Sequence, residues 1–396
     1  MISAGLKWLI DLVEKMSPPD WMPERFRRLG AEAARLLVQQ RNARTLKRLI
    51  AGRLGTLDDI AEFLSARASP MRTPLVLISQ IQRSGGSLLS QLLDGHPALA
   101  AYPGELRFGH TVSDKWPCLD PARGVDANFA ALFDLKFGRQ MRKGYIKGGD
   151  KIVSQDRNEL VDRNTARHRF IVIPRVQYLV FKRLFERTQP NGARDILDLF
   201  FGAFFSAWLD YQGTLEGKKW LTAFAPRIAD DEATVAAFFD CYPDGRLIQI
   251  VRDPKHWYPS AKRQRKAWRD GVGDEQLLDG WCACAESILR NKSRYGGRVI
   301  VLRFEDLVGQ TKPTMQRLAC ELAIPFEPIL LTPTFNTQPI GANSAFALEK
   351  PGVIESPLAR ADLLSISERR LIEAKCEPVY ERVLADGAGG RTTSAR

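Results

Sequence analysis

Three short, almost uninterrupted apolar runs punctuate the middle of this chain: Leu75 to Ile81, Leu247 to Val251 and Val299 to Leu302. Such runs fit strands buried on both faces. The stretches between them carry leucine, isoleucine and alanine at helical spacing, and strands joined by helical connections predict an α/β fold with a parallel β-sheet flanked by helices. Residues 126–216 read as a helical insertion, in which Asp195 to Tyr211 (DILDLFFGAFFSAWLDY) predicts a buried helix. Pro313 to Ala323 predicts a helix with Pro313 in its first turn, where no amide donor is needed. A loop rich in Pro, Thr and Asn follows from Pro325 to Gly352, then a helix capped by Ser367 that runs toward Ala385 and kinks at Pro378. Residues 1–71 form a helical N-terminal extension with no strand pattern, residues 72–386 the α/β domain, and residues 387–396 (GAGGRTTSAR) a disordered tail.

Composition narrows the classes. Of 396 residues 44% are hydrophobic and 26% charged, too apolar for a disordered chain. The six cysteines (Cys118, Cys241, Cys282, Cys284, Cys320, Cys376) are scattered through a chain long enough to bury a core without disulfides, so they read as buried thiols in a reducing cytoplasm. Cys282 and Cys284, with no partner pair and four histidines in the chain, make a poor zinc site, and no metal is expected. No signal peptide and no run of ~18–20 apolar residues able to span a bilayer is present. At the N-terminus Leu6, Leu9, Ile10, Val13 and Met16 share one helical face, which suits packing on the protein itself or, as the alternative, peripheral contact with a membrane.

The most informative segment follows the first run: Ile81-Gln82-Arg83-Ser84-Gly85-Gly86-Ser87-Leu88-Leu89. Small residues leading into an amphipathic pattern describe a strand, a tight loop and a helix N-terminus, which aims backbone amides and the helix dipole at one point. Arg83 adds a guanidinium able to bind an anion bidentately. The nucleotide-triphosphate loop G-x-x-x-x-G-K-[ST] and the three-glycine dinucleotide fingerprint are both absent. The second segment, Arg252-Asp253-Pro254-Lys255-His256-Trp257-Tyr258-Pro259-Ser260, follows the second run. Ligands in open parallel sheets bind beyond the carboxyl ends of strands, so Arg252 and Arg83 are expected to face one crevice. Ser260 could start the next helix and offer its hydroxyl to the same anion.

Together, R-S-G-x-[ST]-L-L after one strand and V-R-D-P-x5-S after a later one resemble the sulfotransferases that use 3′-phosphoadenosine 5′-phosphosulfate (PAPS). Arg303-Phe304-Glu305-Asp306-Leu307, Ala323-Ile324-Pro325-Phe326 and Trp220 to Ile228 (WLTAFAPRI) agree, and the resemblance extends over roughly residues 72–385. It implies a P-loop-like three-layer sandwich and transfer of a sulfuryl group to an acceptor hydroxyl on a small molecule, carbohydrate or lipid. Arg83, Ser84, Gly85, Gly86, Ser87 and Leu88 would hold the 5′-phosphate and sulfate end of PAPS, and Arg252 and Ser260 its 3′-phosphate. The family usually has Ser or Thr where this chain has Gly86, which removes one hydroxyl and implies weaker binding; Phe304 stands in for a common Tyr.

Bacterial and membrane-type members carry a catalytic glutamate at nearly the distance that Glu105 lies from the phosphate loop. A carboxylate there can take the acceptor's proton, with Arg83 stabilising charge on the sulfate. His110 and His256 are the alternative bases. Arg142 to Asp150 (RKGYIKGGD) resembles the basic glycine motif of the cytosolic branch but precedes the second anion segment instead of following it, so it reads as a basic loop near the acceptor entrance.

Charge concentrates in two places. Lys plus Arg number 58 against 46 Asp plus Glu; Arg157 to Arg187 holds eight basic residues against three acidic, and Arg246 to Arg269 eight against one. A highly anionic cofactor accounts for the second run without nucleic acid as a partner. The competing readings are a P-loop kinase, which lacks the triphosphate lysine, and a nucleic-acid-binding protein, for which no motif or aromatic stacking pattern is present.

Overall fold

Five strands alternate their side chains between two cores, as parallel strands covered on both faces must. They are β1 (Leu75–Gln80), β2 (Leu99–Glu105), β3 (Trp220–Phe224), β4 (Arg246–Val251) and β5 (Val299–Arg303). All pairings are parallel, in the order β2-β3-β1-β4-β5. Leu75 and Leu77 of β1 join one core while Val76 and Ile78 join the other; Leu247 and Val251 oppose Ile248 and Ile250 on β4, and Val299 and Val301 oppose Ile300 and Leu302 on β5. The computed structural model describes residues 56–108, 115–134, 172–268, 273–340, 353 and 356–387.

The first face carries α1 (Leu57–Ser65), α3 (Gly124–Leu132), α4 (Pro174–Thr188), α5 (Ala193–Ala207), α6 (Glu232–Cys241), α8 (Asp274–Tyr295) and α11 (Ile366–Arg382). The second carries α2 (Gly86–Leu93), α9 (Phe304–Gly309) and α10 (Thr311–Glu321). Helix α7 (Pro254–Trp268) follows β4 directly, and a 3₁₀ segment, Ser356–Leu363, packs along it. This is the three-layer α/β architecture expected. Helix α1 starts at a Thr56–Asp59 capping box and shares the first core through Ile60, Ala61, Phe63 and Leu64.

The three apolar runs are β1, β4 and β5, each within a residue of its expected ends. Strand β2 was not foreseen, because Leu-Ala-Ala-Tyr-Pro-Gly-Glu lacks β-branched residues and contains Pro103 and Gly104. Its pairing with β3 holds it extended, with an irregular register between Ala101 and Glu105. The buried helix of the insertion ends at Ala207, not Tyr211, since Trp208 leaves helical geometry and forms an isolated bridge with Val172. Pro313 sits in the first turn of α10, as expected.

The cap of α11 is Ser365, not Ser367. Ser365 lies three residues before Glu368, so its hydroxyl accepts from the Glu368 amide while that carboxylate accepts from the Ser365 amide. Pro378 lies inside this helix. The cysteines also need correcting: Cys118 and Cys320 are exposed, Cys241, Cys282 and Cys284 partly so, and Cys376 is buried. Cys282 and Cys284 are two residues apart on α8 and therefore point different ways. The Cys282 thiol meets Cys376 at 3.5 Å and the Cys284 thiol meets Asp230 at 3.4 Å.

No helix among the described residues is long and apolar enough to cross a membrane. The amphipathic stretch from Leu6 to Met16, His110, Arg142 to Asp150 and most of the tail lie outside the described residues.

Candidate functional site

After β1 the chain moves to one side of the sheet, through α2 to β2; after β4 it moves to the other side, through α7 and α8 to β5. The gap between the carboxyl ends of β1 and β4 is therefore the point where the winding reverses, and it is there that side chains of open α/β sheets converge on ligands. Arg83 leaves one lip and Arg252 the other. They meet: Arg252 Nη1 donates to the Arg83 carbonyl at 3.1 Å.

Backbone conformation shapes the loop. Arg83 (φ 74) and Gly85 (φ 91) both lie in the left-handed region, which Gly85 adopts at no steric cost. A Cβ at Gly85 would stand 2.6 Å from the Phe304 ring, and one at Gly86 would stand 2.2 Å from the Phe224 ring. The expectation that a hydroxyl at position 86 has simply been lost needs revision: Phe224 of β3 fills the space a larger residue would need. Trp257 Nε1 donates to the Gln82 carbonyl at 2.6 Å and pins the loop from the α7 side.

Two of the loop amides meet a side chain from the end of β1. Those of Ser84 and Gly86 donate to Gln80 Oε1, at 3.2 and 2.6 Å, instead of converging on open space. Buried side chains add further polar groups. Among the described residues, Arg83 Nε, Ser84 Oγ and Ser260 Oγ are buried with no hydrogen-bond partner, and Ser84 and Ser260 are 0% and 1% exposed. Buried polar groups without partners cost free energy, and two of these, on Arg83 and Ser84, adjoin in the loop at the strand end, where a polar ligand would offset that cost. Ser260 does not start α7 but lies inside it, because Pro254 already occupies the helix start and the Asp253 carboxylate accepts from the Lys255 amide at 2.7 Å.

Arg252 is 2% exposed and lies over the Phe304 ring, 4.3 Å from its centroid. Burial, then the nearby Arg360, pushes its pKa down to about 9, with Arg83 adding to the effect and Glu305 opposing it. It remains charged at neutral pH. Arg83 is also held below its ordinary value by burial, against the opposing charge of Glu105. Several guanidinium groups buried together repel one another, and an anion with more than one negative group offsets that cost. The residues present thus fit a polyanionic ligand.

Glu105 closes β2, opposite Phe224 in register, and its charge reaches Arg83. Its carboxylate pairs with Arg107. The structure therefore brings Glu105 within electrostatic reach of Arg83, with its carboxylate partly exposed. His256 instead faces Glu305, whose Oε1 is 3.7 Å from the ring and accepts from the Asp253 amide at 3.1 Å. Glu305 ties α9 to the turn that presents Arg252, a function that sequence spacing did not reveal.

Described members of the two charge runs form local pairs. In the first, Arg187 donates to the carbonyls of Ser65 and Ala68 and Arg183 to that of Asp58, so these residues dock α1. In the second, Lys255 pairs with Glu373 and Glu377, and Lys262 with Glu368. Both lysines clamp α7 to α11, and among the described residues of that run Arg252 is the basic one buried at the crevice. Arg360, from the 3₁₀ segment beside α7, is 6% exposed and electrostatically close to Arg83, yet no motif announces it.

The family model described as "Sulfotransferase family" matches residues 138–328. The resemblance read from the sequence is borne out over that span, which holds Trp220 to Ile228, Arg252 to Ser260 and Arg303 to Leu307; the Arg83 loop and Glu105 lie before it. No curated protein sequence matches. Solved structures similar to this chain include the "Sulfotransferase Domain from the Curacin Biosynthetic Pathway" (17% identity, TM-score 0.43, covering 78% of this chain and 98% of that one). The sulfotransferase domain of the Synechococcus PCC 7002 olefin synthase follows at 18% identity and TM-score 0.42, covering 76% and 94%. Sulfotransferase STF9 from Mycobacterium avium shows 13% identity and TM-score 0.39, covering 96% and 90%.

Proposed function

We propose that this chain, with its sulfotransferase-family segment over residues 138–328, transfers a sulfuryl group from PAPS to an acceptor hydroxyl on a small molecule, glycan or lipid. The observation that carries the reading is the meeting of Arg83 and Arg252 at the winding reversal, where Ser84 follows Arg83 with a buried hydroxyl that has no partner among the described residues. PAPS would supply an activated sulfuryl group. Arg83 and Ser84 would hold its sulfate end, Arg252 and Ser260 its 3′-phosphate, and Arg83 would stabilise negative charge as the sulfuryl group moves. Glu105 would accept the acceptor hydroxyl's proton. Arg107, already paired with that carboxylate, would keep it oriented.

Calorimetry with adenosine 3′,5′-bisphosphate is the direct test. Binding supports the reading; no detectable affinity, or tighter binding of ATP than of the bisphosphate, overturns it, the latter in favour of a kinase. Steep loss of DNA binding with salt, in a chain blind to the bisphosphate, would mark a nucleic-acid-binding protein instead. Glu105→Gln keeps the shape and removes the base. Turnover with labelled PAPS should fall ~10²–10⁴-fold, the range general-base catalysis supplies, with bisphosphate affinity unchanged within about threefold. Undiminished turnover would move the base away from Glu105.

A further inference from the structure

We infer that Cys282 and Cys376 form a dithiol that hydrogen peroxide closes into a disulfide, bracing α11 against α8. The inference does not depend on the sulfuryl-transfer reading. The two residues lie 94 positions apart in the chain, yet their sulfurs are 3.5 Å apart across the contact between the two helices. Cys376 Sγ also lies 4.0 Å from the Leu278 carbonyl, one turn of α8 before Cys282. The Cys282 thiol donates to the Lys375 carbonyl at 3.4 Å. Each thiol is thus seated against the backbone of the other helix.

Flanking contacts hold the helices in this register. On one side Lys375 Nζ lies 2.7 Å from Asp279 Oδ1, and on the other Arg382 donates to both Glu286 oxygens at 2.7 and 3.2 Å. Trp281 meets Tyr380 edge-on between them. A disulfide is about 2.05 Å long, so the sulfurs have to close by roughly 1.5 Å. Thiols are weak donors, and giving up their contacts with the two carbonyls costs little.

Access sets the order of events. Cys282 is partly exposed and Cys376 is 0% exposed, so peroxide meets Cys282 first. The Cys282 sulfur attacks one peroxide oxygen, the O–O bond breaks, and the thiol proton leaves with the departing hydroxide as water, giving a sulfenic acid. The Cys376 sulfur then attacks that of Cys282. The S–S bond forms as the S–O bond breaks, and the released hydroxide takes the Cys376 proton as water. The two thiols together lose two electrons, and peroxide is reduced to water. Burial holds both thiols above their ordinary pKa, so closure is slower than oxidation of an exposed thiol. The disulfide fixes α11 on its α8 side, opposite the glutamates through which it holds Lys255 and Lys262 of α7.

The experiment treats the full chain with hydrogen peroxide, blocks the remaining thiols by alkylation and maps the peptides. The expected product is a Cys282–Cys376 peptide pair lighter by two hydrogens than its parts and separated again by dithiothreitol. The exposed Cys118 and Cys320 report that the oxidant has acted. In a Cys118→Ser, Cys320→Ser variant, which lacks those competing thiols, the cross-link should persist and raise the thermal midpoint by ~3–6 °C. Adding Cys282→Ser should remove both the cross-link and the rise. The peptide map of the unsubstituted chain decides the matter even where a variant does not fold. Cys282 found as sulfinic acid beside an intact Cys376 thiol overturns the inference, as does a cross-link from either residue to a different cysteine. So do two intact thiols after roughly tenfold longer exposure than Cys118 and Cys320 need. A cross-link that leaves the midpoint unchanged overturns the brace.

Discussion

Arg252→Ala is expected to lower affinity for adenosine 3′,5′-bisphosphate by ~30- to 1000-fold, corresponding to the ~2–4 kcal/mol typical of truncating one partner of a buried charge pair. Two independent losses add here. The guanidinium is nearly inaccessible to water, so a phosphoryl group meeting it exchanges few solvent contacts. It also braces the loop, through its bond to the Arg83 carbonyl and its stacking on Phe304, the ring that closes over Gly85. Stability without ligand should respond far less. The lost hydrogen bond and packing destabilise, while relief of repulsion from Arg360 and Arg83 stabilises. Calorimetry and thermal melts on the same preparation separate the two effects. A fall in affinity below threefold would reduce Arg252 to a structural residue.

Gly86→Ser, the substitution that would add the hydroxyl expected from the resemblance, should instead destabilise this chain by ~2–3 kcal/mol and lower its thermal midpoint by about 3–5 °C. The cause is Phe224, which is 1% exposed and whose ring atoms would lie 2.2, 2.8 and 2.9 Å from the new Cβ. The ring cannot retreat, because it belongs to the core between α2 and the sheet with Ile78 and Leu89. Phe224→Leu should relieve the clash. The double variant is expected to be more stable than Gly86→Ser alone, with a coupling of at least ~1 kcal/mol in a double-mutant cycle. An unchanged midpoint for Gly86→Ser would show that the ring moves aside freely. Bisphosphate affinity of the double variant then tells whether the hydroxyl strengthens binding once there is room for it.

Sequence alone determined the layered fold, because strands covered on both faces need continuous apolar runs, and β1, β4 and β5 supplied them without ambiguity. It also determined the two lips of the crevice, since both lie within a few residues of a strand end, where local order and topology coincide. Strand β2 was hidden by its own composition: Ala100, Ala101, Pro103 and Gly104 have no preference for extended structure, and only pairing with β3 imposes it.

The remaining features depend on distances between residues far apart in the chain. Gly86 read as a missing hydroxyl until the Phe224 ring, 138 positions later, was found in that space. The bonds that the Ser84 and Gly86 amides make to Gln80 depend on how the loop folds back on the end of β1, which no spacing announces. The basic runs read as one field until α11 brought its glutamates to Lys255 and Lys262. Arg360 sits in no motif and follows no strand. Its burial is decided by how the segment before α11 packs along α7, and packing at long range leaves no periodic trace in a single sequence.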